Sequence, residues 1–386
     1  MIPLNIPNLQ GNEWEYLKEC LDTNWVSSAG KFVDLFEHKI AEYCGVKHAI
    51  SSVNGTSALH IALKVAGVKA NDEVLVPTIT FIAPVNTINY SGAYPVFMDV
   101  DEFYNLDIDK TIEFIETETY SHEGNTYNRQ TLRRISAILP VHMWGNAVDI
   151  GPLLEICNEK NIAIVEDASE SLGTSYRRKI NGQKHTGTVG LVGCISFNGN
   201  KIITTGGGGM ILTNDDELAK RAKYLTTQAK DDEIRYVHHE VGYNYRMTNI
   251  QAALGVAQLE QLEKFLEKKR NIHHRYDELL ASISGITLVG VPEHAINNHW
   301  LNIIRIDVKE YGIDRETVMV NFSNNKIQTR PVWYPNHLQR PYSNCQGYKI
   351  DKAERLVDES LCLPSSTTLD RSDDDHIAEI LVEHHK

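Results

Sequence analysis

Through the first two thirds of the chain, short apolar β-rich runs alternate with amphipathic helical stretches. Strands are expected at 48–53, 73–77, 95–100, 135–141, 162–167, 194–197 and 210–213, with helices at 57–65, 81–90 and 150–160 among them. Alternation of this kind predicts a mostly parallel sheet with helices on both faces. Ligands collect at the carboxyl ends of such strands. Residues 113–134 are polar, with a Gly124-Asn125 turn, and read as a surface excursion, in its simplest form a hairpin. From Asn249 to about Leu280 a long helical pattern puts Leu254, Leu259, Leu262, Leu266 and Ile272 on one face. These patterns predict an α/β protein with a large domain over 1–248, a connecting helix over 249–284 and a smaller mixed α/β domain over 285–386.

Composition narrows the function classes. The 386 residues are too many for one small core. A net charge of −13 argues against a nucleic-acid or anionic-membrane partner, but not against one phosphorylated small molecule in a locally basic pocket. The six cysteines are dispersed, with no zinc-like spacing, as expected of reduced thiols in the cytosol. The first residues show no basic-then-apolar leader pattern, and no stretch has the length of a membrane span. A cytoplasmic location is therefore expected.

Four features carry candidate chemistry, and each also has an everyday explanation. Lys201 follows a strand in SFNGNK and precedes Gly206–Gly209. A lysine desolvated there can attack a carbonyl to give a Schiff base, while a surface lysine beside a flexible loop would look the same. Asp167 ends an apolar strand in IVEDASES. It can meet a protonated pyridine nitrogen or simply cap a helix. Asn54-Gly55-Thr56-Ser57 opens a helix and can seat an anion or act as an ordinary cap. Phe81, in PTITFIAPVNTI, can cover a flat ring or pack in the core.

Together the motifs NGTSAL, PTITFIAPVNTI, VEDASESLG, GCISFNGNK, TTGGGGM and VGYNYRMTNIQAA are specific, and essentially the whole chain resembles the DegT/StrS sugar-nucleotide aminotransferases. The resemblance implies a fold type I transferase with pyridoxal 5′-phosphate as cofactor and no metal. It implies that Lys201 holds the cofactor and shuttles protons, that Asp167 binds the ring nitrogen, and that Glu170 lies near the ring hydroxyl. Thr56, Ser57 and Ser196 would bind the phosphate, Phe81 would cover the ring, and Asn244 would reach the neighbouring subunit's phosphate in a homodimer. Trp25, Ser27, His142, Arg330, Tyr334 and His337 are candidate sugar contacts, although Trp25, Tyr334 and the Pro335-Asn336-His337 segment equally suit subunit packing.

Some members of this family carry histidine in place of the lysine and dehydrate, so Lys201 points to amination, with L-glutamate as donor. The 113–134 excursion, NWVSSAGKFVDLFE and VHMWGN suggest the subgroup acting at C4 of nucleotide-linked 4-keto-6-deoxy-N-acetylglucosamine. A 3-keto sugar nucleotide or a non-catalytic sensor with the same pocket are the alternatives. A nicotinamide-dependent oxidoreductase would need GxGxxG after the first strand, which is missing. A metal hydrolase is disfavoured, because the pairs His238-His239 and His273-His274 lie on polar segments expected to face solvent.

Overall fold

The computed structural model describes residues 1–232 and 234–383. Its large sheet runs in the order His48–Ser52, Gly209–Thr213, Val192–Ser196, Ala163–Asp167, Arg134–Ile138, Glu73–Pro77, Tyr94–Met98, Gly347–Tyr348. Gly209–Thr213 is antiparallel to both neighbours; every other pairing along that order is parallel. The central strands are apolar on both faces, as in the fully buried Val74, Leu75 and Val76, because helices cover both sides. All seven expected strands form, within a few residues of their expected ends. The helices Gly55–Val65, Ile82–Tyr90 and Gly151–Glu159 lie where the pattern put them.

Two expectations need correction. The polar excursion begins with the end of the helix Ile108–Thr117 and then forms the hairpin Thr119–His122 and Asn125–Asn128. Its turn is Glu123-Gly124 rather than Gly-Asn; both residues have positive φ (48° and 74°), the primed geometry that suits a two-residue hairpin. The hairpin pairs with the amino end of Arg134–Ile138, on the side of the sheet away from the strand tips where ligands collect. The long helical pattern is two helices, Asn249–Leu259 and Leu262–Leu280. A Thr248/Gln251 capping box starts the first, and the N–H of Gln261 turns to the carbonyl of Gln258, three residues back, where they part.

A second, antiparallel sheet follows, ordered Ile286–Leu288, Asn302–Ile306, Ser360–Leu363, Arg330–Pro331. Arg330–Pro331 takes its edge, where a proline's missing N–H is tolerated. From this region the chain returns to the large sheet twice. Gly347–Tyr348 pairs with Tyr94–Met98, and the Asn336 amide donates to the carbonyls of Thr78 and Thr80.

Asp99 makes a third tie. Its fully buried carboxylate accepts the N–H groups of Asp351, Lys352 and Ala353 and the ammonium of Lys110 at 2.7 Å. Burial works against its charge, but Asp351, Lys110 and the Lys352 N–H outweigh it and bring the pKa down to about 2. Asp99→Asn is expected to cost about 2 kcal/mol, the scale of hydrogen bonds to a charged group. A folded-state pKa below the unfolded value of about 4 contributes stability that is present above pH 4 and lost as pH falls toward 2. The melting temperatures of variant and parent should therefore converge over that window; a constant gap down to pH 2 would refute the assignment.

Candidate active site

At the carboxyl ends of the large-sheet strands lies a cavity of about 260 Å³. Thr56, Phe81, Asp167, Glu170, Ser196 and Lys201, far apart in the chain, all line it. The sheet explains the convergence: Asp167 and Ser196 are the last residues of paired strands, and Lys201 lies in the loop after Ser196. The helix Gly55–Val65 points its amino terminus at the same place, with Asn54 Oδ1 capping the Ser57 N–H at 2.7 Å. Ser57, expected beside Thr56 at the phosphate, is buried and not among the lining residues.

Two glycines allow the segments to meet. A Cβ on Gly55 would lie 2.8 Å from the Ser196 side chain, and one on Gly209 would lie 2.6 Å from the Asn54 carbonyl. Of the four consecutive glycines Gly206 has positive φ, while at Gly208 and Gly209 an added Cβ would run into Thr205 and Asn54.

The electrostatics are uneven. Asp167 is 3% exposed and its Oδ1 accepts the Ser169 N–H at 2.9 Å. Burial raises its pKa, and the nearby Lys201 charge opposes that only in part. Glu170 Oε1 lies 3.5 Å from Lys201 Nζ, and Oε2 accepts the Trp144 N–H at 2.9 Å. Its pKa is also raised by burial, against the pull of Lys201. Lys201 Nζ sits 3.9 Å from the centre of the Trp300 ring. Two buried carboxylates thus face one ammonium, which leaves room for a further cationic group beside Asp167.

Trp300 and Trp333 line the cavity without having been singled out in the sequence, as do Asn198 and Asn200. Trp333 meets Phe81 edge to face at 5.8 Å. It arrives there because Asn336 and His337 staple its loop to the tip of the Glu73–Pro77 strand. RPVWYPNH marked that loop, but nothing local distinguished Trp333 from Tyr334. No motif marked Trp300.

The expected sugar contacts are not drawn into this cavity. His142 is a correction: it is fully buried, its Nε2 is 2.9 Å from Glu166 and its Nδ1 accepts the Val148 N–H, so no face is open to a ligand. Glu166 also accepts the N–H groups of Gly187, Val189 and Gly190, which makes the pair a structural knot. His337 is likewise occupied, by Thr78 at 2.7 Å and Glu354 at 3.3 Å. Arg330 borders a different groove, with Met1, Met319 and Lys326. Trp25, Ser27, Tyr334 and Asn244 are exposed and outside the lining. His273 does not face solvent as expected but bonds Asn302 at 2.8 Å and stacks on His299 at 4.0 Å.

The donor set fits pyridoxal phosphate: a helix terminus that can seat an anion, an amine and a buried carboxylate short of positive charge line one cavity. Fold and site together are those of a pyridoxal-phosphate-dependent transferase of fold type I. Residues 7–382 match the DegT/DnrJ/EryC1/StrS aminotransferase family, and the chain belongs to that family. It is a sugar-nucleotide aminotransferase with pyridoxal 5′-phosphate as cofactor.

Among its relatives, the GDP-perosamine synthase of Caulobacter vibrioides is 39% identical over 378 residues, covering 97% of this chain and 96% of its own. That of Vibrio cholerae is 39% identical over 344 residues, covering 89% and 88%. Among solved structures, the aminotransferase TlmJ from Streptoalloteichus hindustanus superposes with a TM-score of 0.87 at 27% identity, covering 100% of this chain and 98% of its own. Among the described residues no helix is long and apolar enough to cross a membrane.

Proposed function

We propose that this enzyme transfers the amino group of L-glutamate to C4 of a nucleotide-linked 4-keto-6-deoxy sugar. The observation that carries the reading is the single cavity holding Lys201, Asp167 and Glu170 together. Amination at C4 is supported by the two perosamine synthases, since perosamine is a 4-amino sugar. Those relatives also favour a GDP-linked substrate over the N-acetylglucosamine nucleotide that the sequence resemblance implied.

When bound, pyridoxal phosphate supplies an electron sink next to the carbon that exchanges nitrogen. The chain's residues do the rest. Asp167 would hold negative charge for the ring nitrogen, and Thr56, Ser57 and Ser196 with the helix terminus would hold the phosphate. Lys201 would anchor the cofactor through its amine and carry protons at the reacting carbon. Glu170 holds the Lys201 ammonium in place, and Phe81, Trp300 and Trp333 wall the cavity.

A panel of GDP-, UDP- and dTDP-linked 4-keto and 3-keto sugars, with and without a 2-acetamido group, tests the substrate. Glutamate-dependent formation of a 4-amino sugar is the expected outcome. Turnover of 3-keto sugars alone would overturn the C4 assignment, and no turnover of any member would favour the sensor alternative.

Asn244 lies exposed beside Thr227 in an extended segment, free to reach a second copy of the chain. In the proposed homodimer it would bond the phosphate held by the other subunit, and Trp25, Ser27 and Tyr334 stay the exposed candidates for sugar or subunit contact. On this reading Asn244→Ala weakens cofactor affinity about tenfold, the scale of one hydrogen bond to a charged group, and parent affinity falls on dilution into monomers. Cofactor affinity that ignores dilution would refute the shared site.

A further inference from the structure

Lys269 lies on the helix Leu262–Leu280, is 1% exposed, and has no part in the site as described so far. Its ammonium donates to three uncharged oxygens from three distant segments: Asn5 Oδ1 at 3.2 Å, the Trp300 carbonyl at 2.9 Å and the Ser365 carbonyl. With no carboxylate among these partners, burial pushes its pKa down to about 7. A methionine or leucine would fill the space without that cost. What the amine adds is reach to all three segments at once.

Two of those segments converge again beside the reactive lysine. The Asn5 amide and the Trp300 indole N–H both donate to the carbonyl of Asn200, each at 2.6 Å. Asn200 immediately precedes Lys201, whose ammonium rests on the Trp300 ring. Holding Asn5 and Trp300 therefore holds the backbone oxygen next to Lys201 and the aromatic face beneath its ammonium.

We propose that Lys269 is a positioning residue for Lys201, fixing through Asn5 and Trp300 the loop that carries the reacting amine. The proposal rests on Lys201 being that amine. Small displacements of a reacting group are costly, a shift of about 1 Å taking as much as about a hundredfold in rate. Lys269→Met keeps length and apolar bulk while removing all three donors.

The test uses the full chain freed of cofactor and follows capture of pyridoxal phosphate through the growth of its lysine-bound visible absorbance and circular-dichroism band. In Lys269→Met the capture rate is expected to fall about tenfold or more and the dichroism band to weaken, while far-ultraviolet dichroism stays that of the parent. Asn5→Ala should show the same pattern in smaller measure. The double variant should be no slower than Lys269→Met alone, because both changes act through one network. A Lys269→Met protein that melts earlier yet captures cofactor at the parental rate with a full-strength band overturns the proposal. If Lys269→Met does not fold, Asn5→Ala decides, and parental behaviour there overturns it. A Lys201→Ala control that still develops the band would instead bring down the assignment of Lys201, so the two failures are distinguishable.

Discussion

Lys201→Ala is expected to abolish the lysine-bound absorbance of pyridoxal phosphate and to lower glutamate-dependent amination by at least about 10²–10⁴-fold, the contribution of a positioned general acid–base group. The structure gives the reason. Lys201 is the amine that lines the cavity, 3.5 Å from Glu170 and over the Trp300 ring. Without it nothing there can both tether the cofactor and move a proton. Folding should survive, because Glu170, whose pKa burial already raises, can take up a proton once its cation is gone. Lys201→Arg separates charge from chemistry: it keeps a cation near Glu170 and should be as inactive as the alanine variant. Rates at a common pH with saturating cofactor, together with melting curves, check both. Amination by Lys201→Ala within tenfold of the parent would rule out the mechanism.

Asp167→Asn should lower amination by about ten- to a thousandfold while the protein stays folded. An opposite charge in contact shifts a partner's proton affinity by about 1–3 pKa units, and each unit is a factor of ten. The carboxylate is buried and its pKa is raised, chiefly by desolvation, so it lacks sufficient positive charge around it. A protonated ring nitrogen would supply that charge, and asparagine cannot hold the proton there. The amide keeps the shape and can still accept the Ser169 N–H. The cofactor's visible spectrum should shift with the lost ring proton. An unchanged rate and spectrum in Asp167→Asn would show that the carboxylate serves only as the local cap of its turn.

Much of the site was legible because its residues sit at element junctions. A carboxylate ending an apolar strand, as Asp167 does, and a glycine-flanked lysine after another strand have local signatures. So does a hydroxyl pair opening a helix, Thr56 and Ser57. Strand alternation gave the parallel order its character because residues buried on both faces leave near-continuous apolar runs. Harder to read were residues whose surroundings come from elsewhere in the chain. His142 looked like a polar residue at a strand tip, yet Glu166 and Val148 enclose it. Trp300 and Trp333 looked like ordinary aromatics, yet hydrogen bonds to Asn200 and Thr78 carry their loops to the cavity.

Lys201 and the motifs around it carried the family resemblance that implied the cofactor and the class of reaction, and the apolar pattern of the chain placed the strands that end at the site. The strands follow from short-range patterns, in which a residue's type and spacing suffice, whereas the cofactor and reaction needed the motifs taken together. Tertiary structure alone divided the two lysines, Lys201 lining the cavity and Lys269 buried among uncharged oxygens. Burial and partners set that division, and both come from segments as distant as residues 5, 300 and 365.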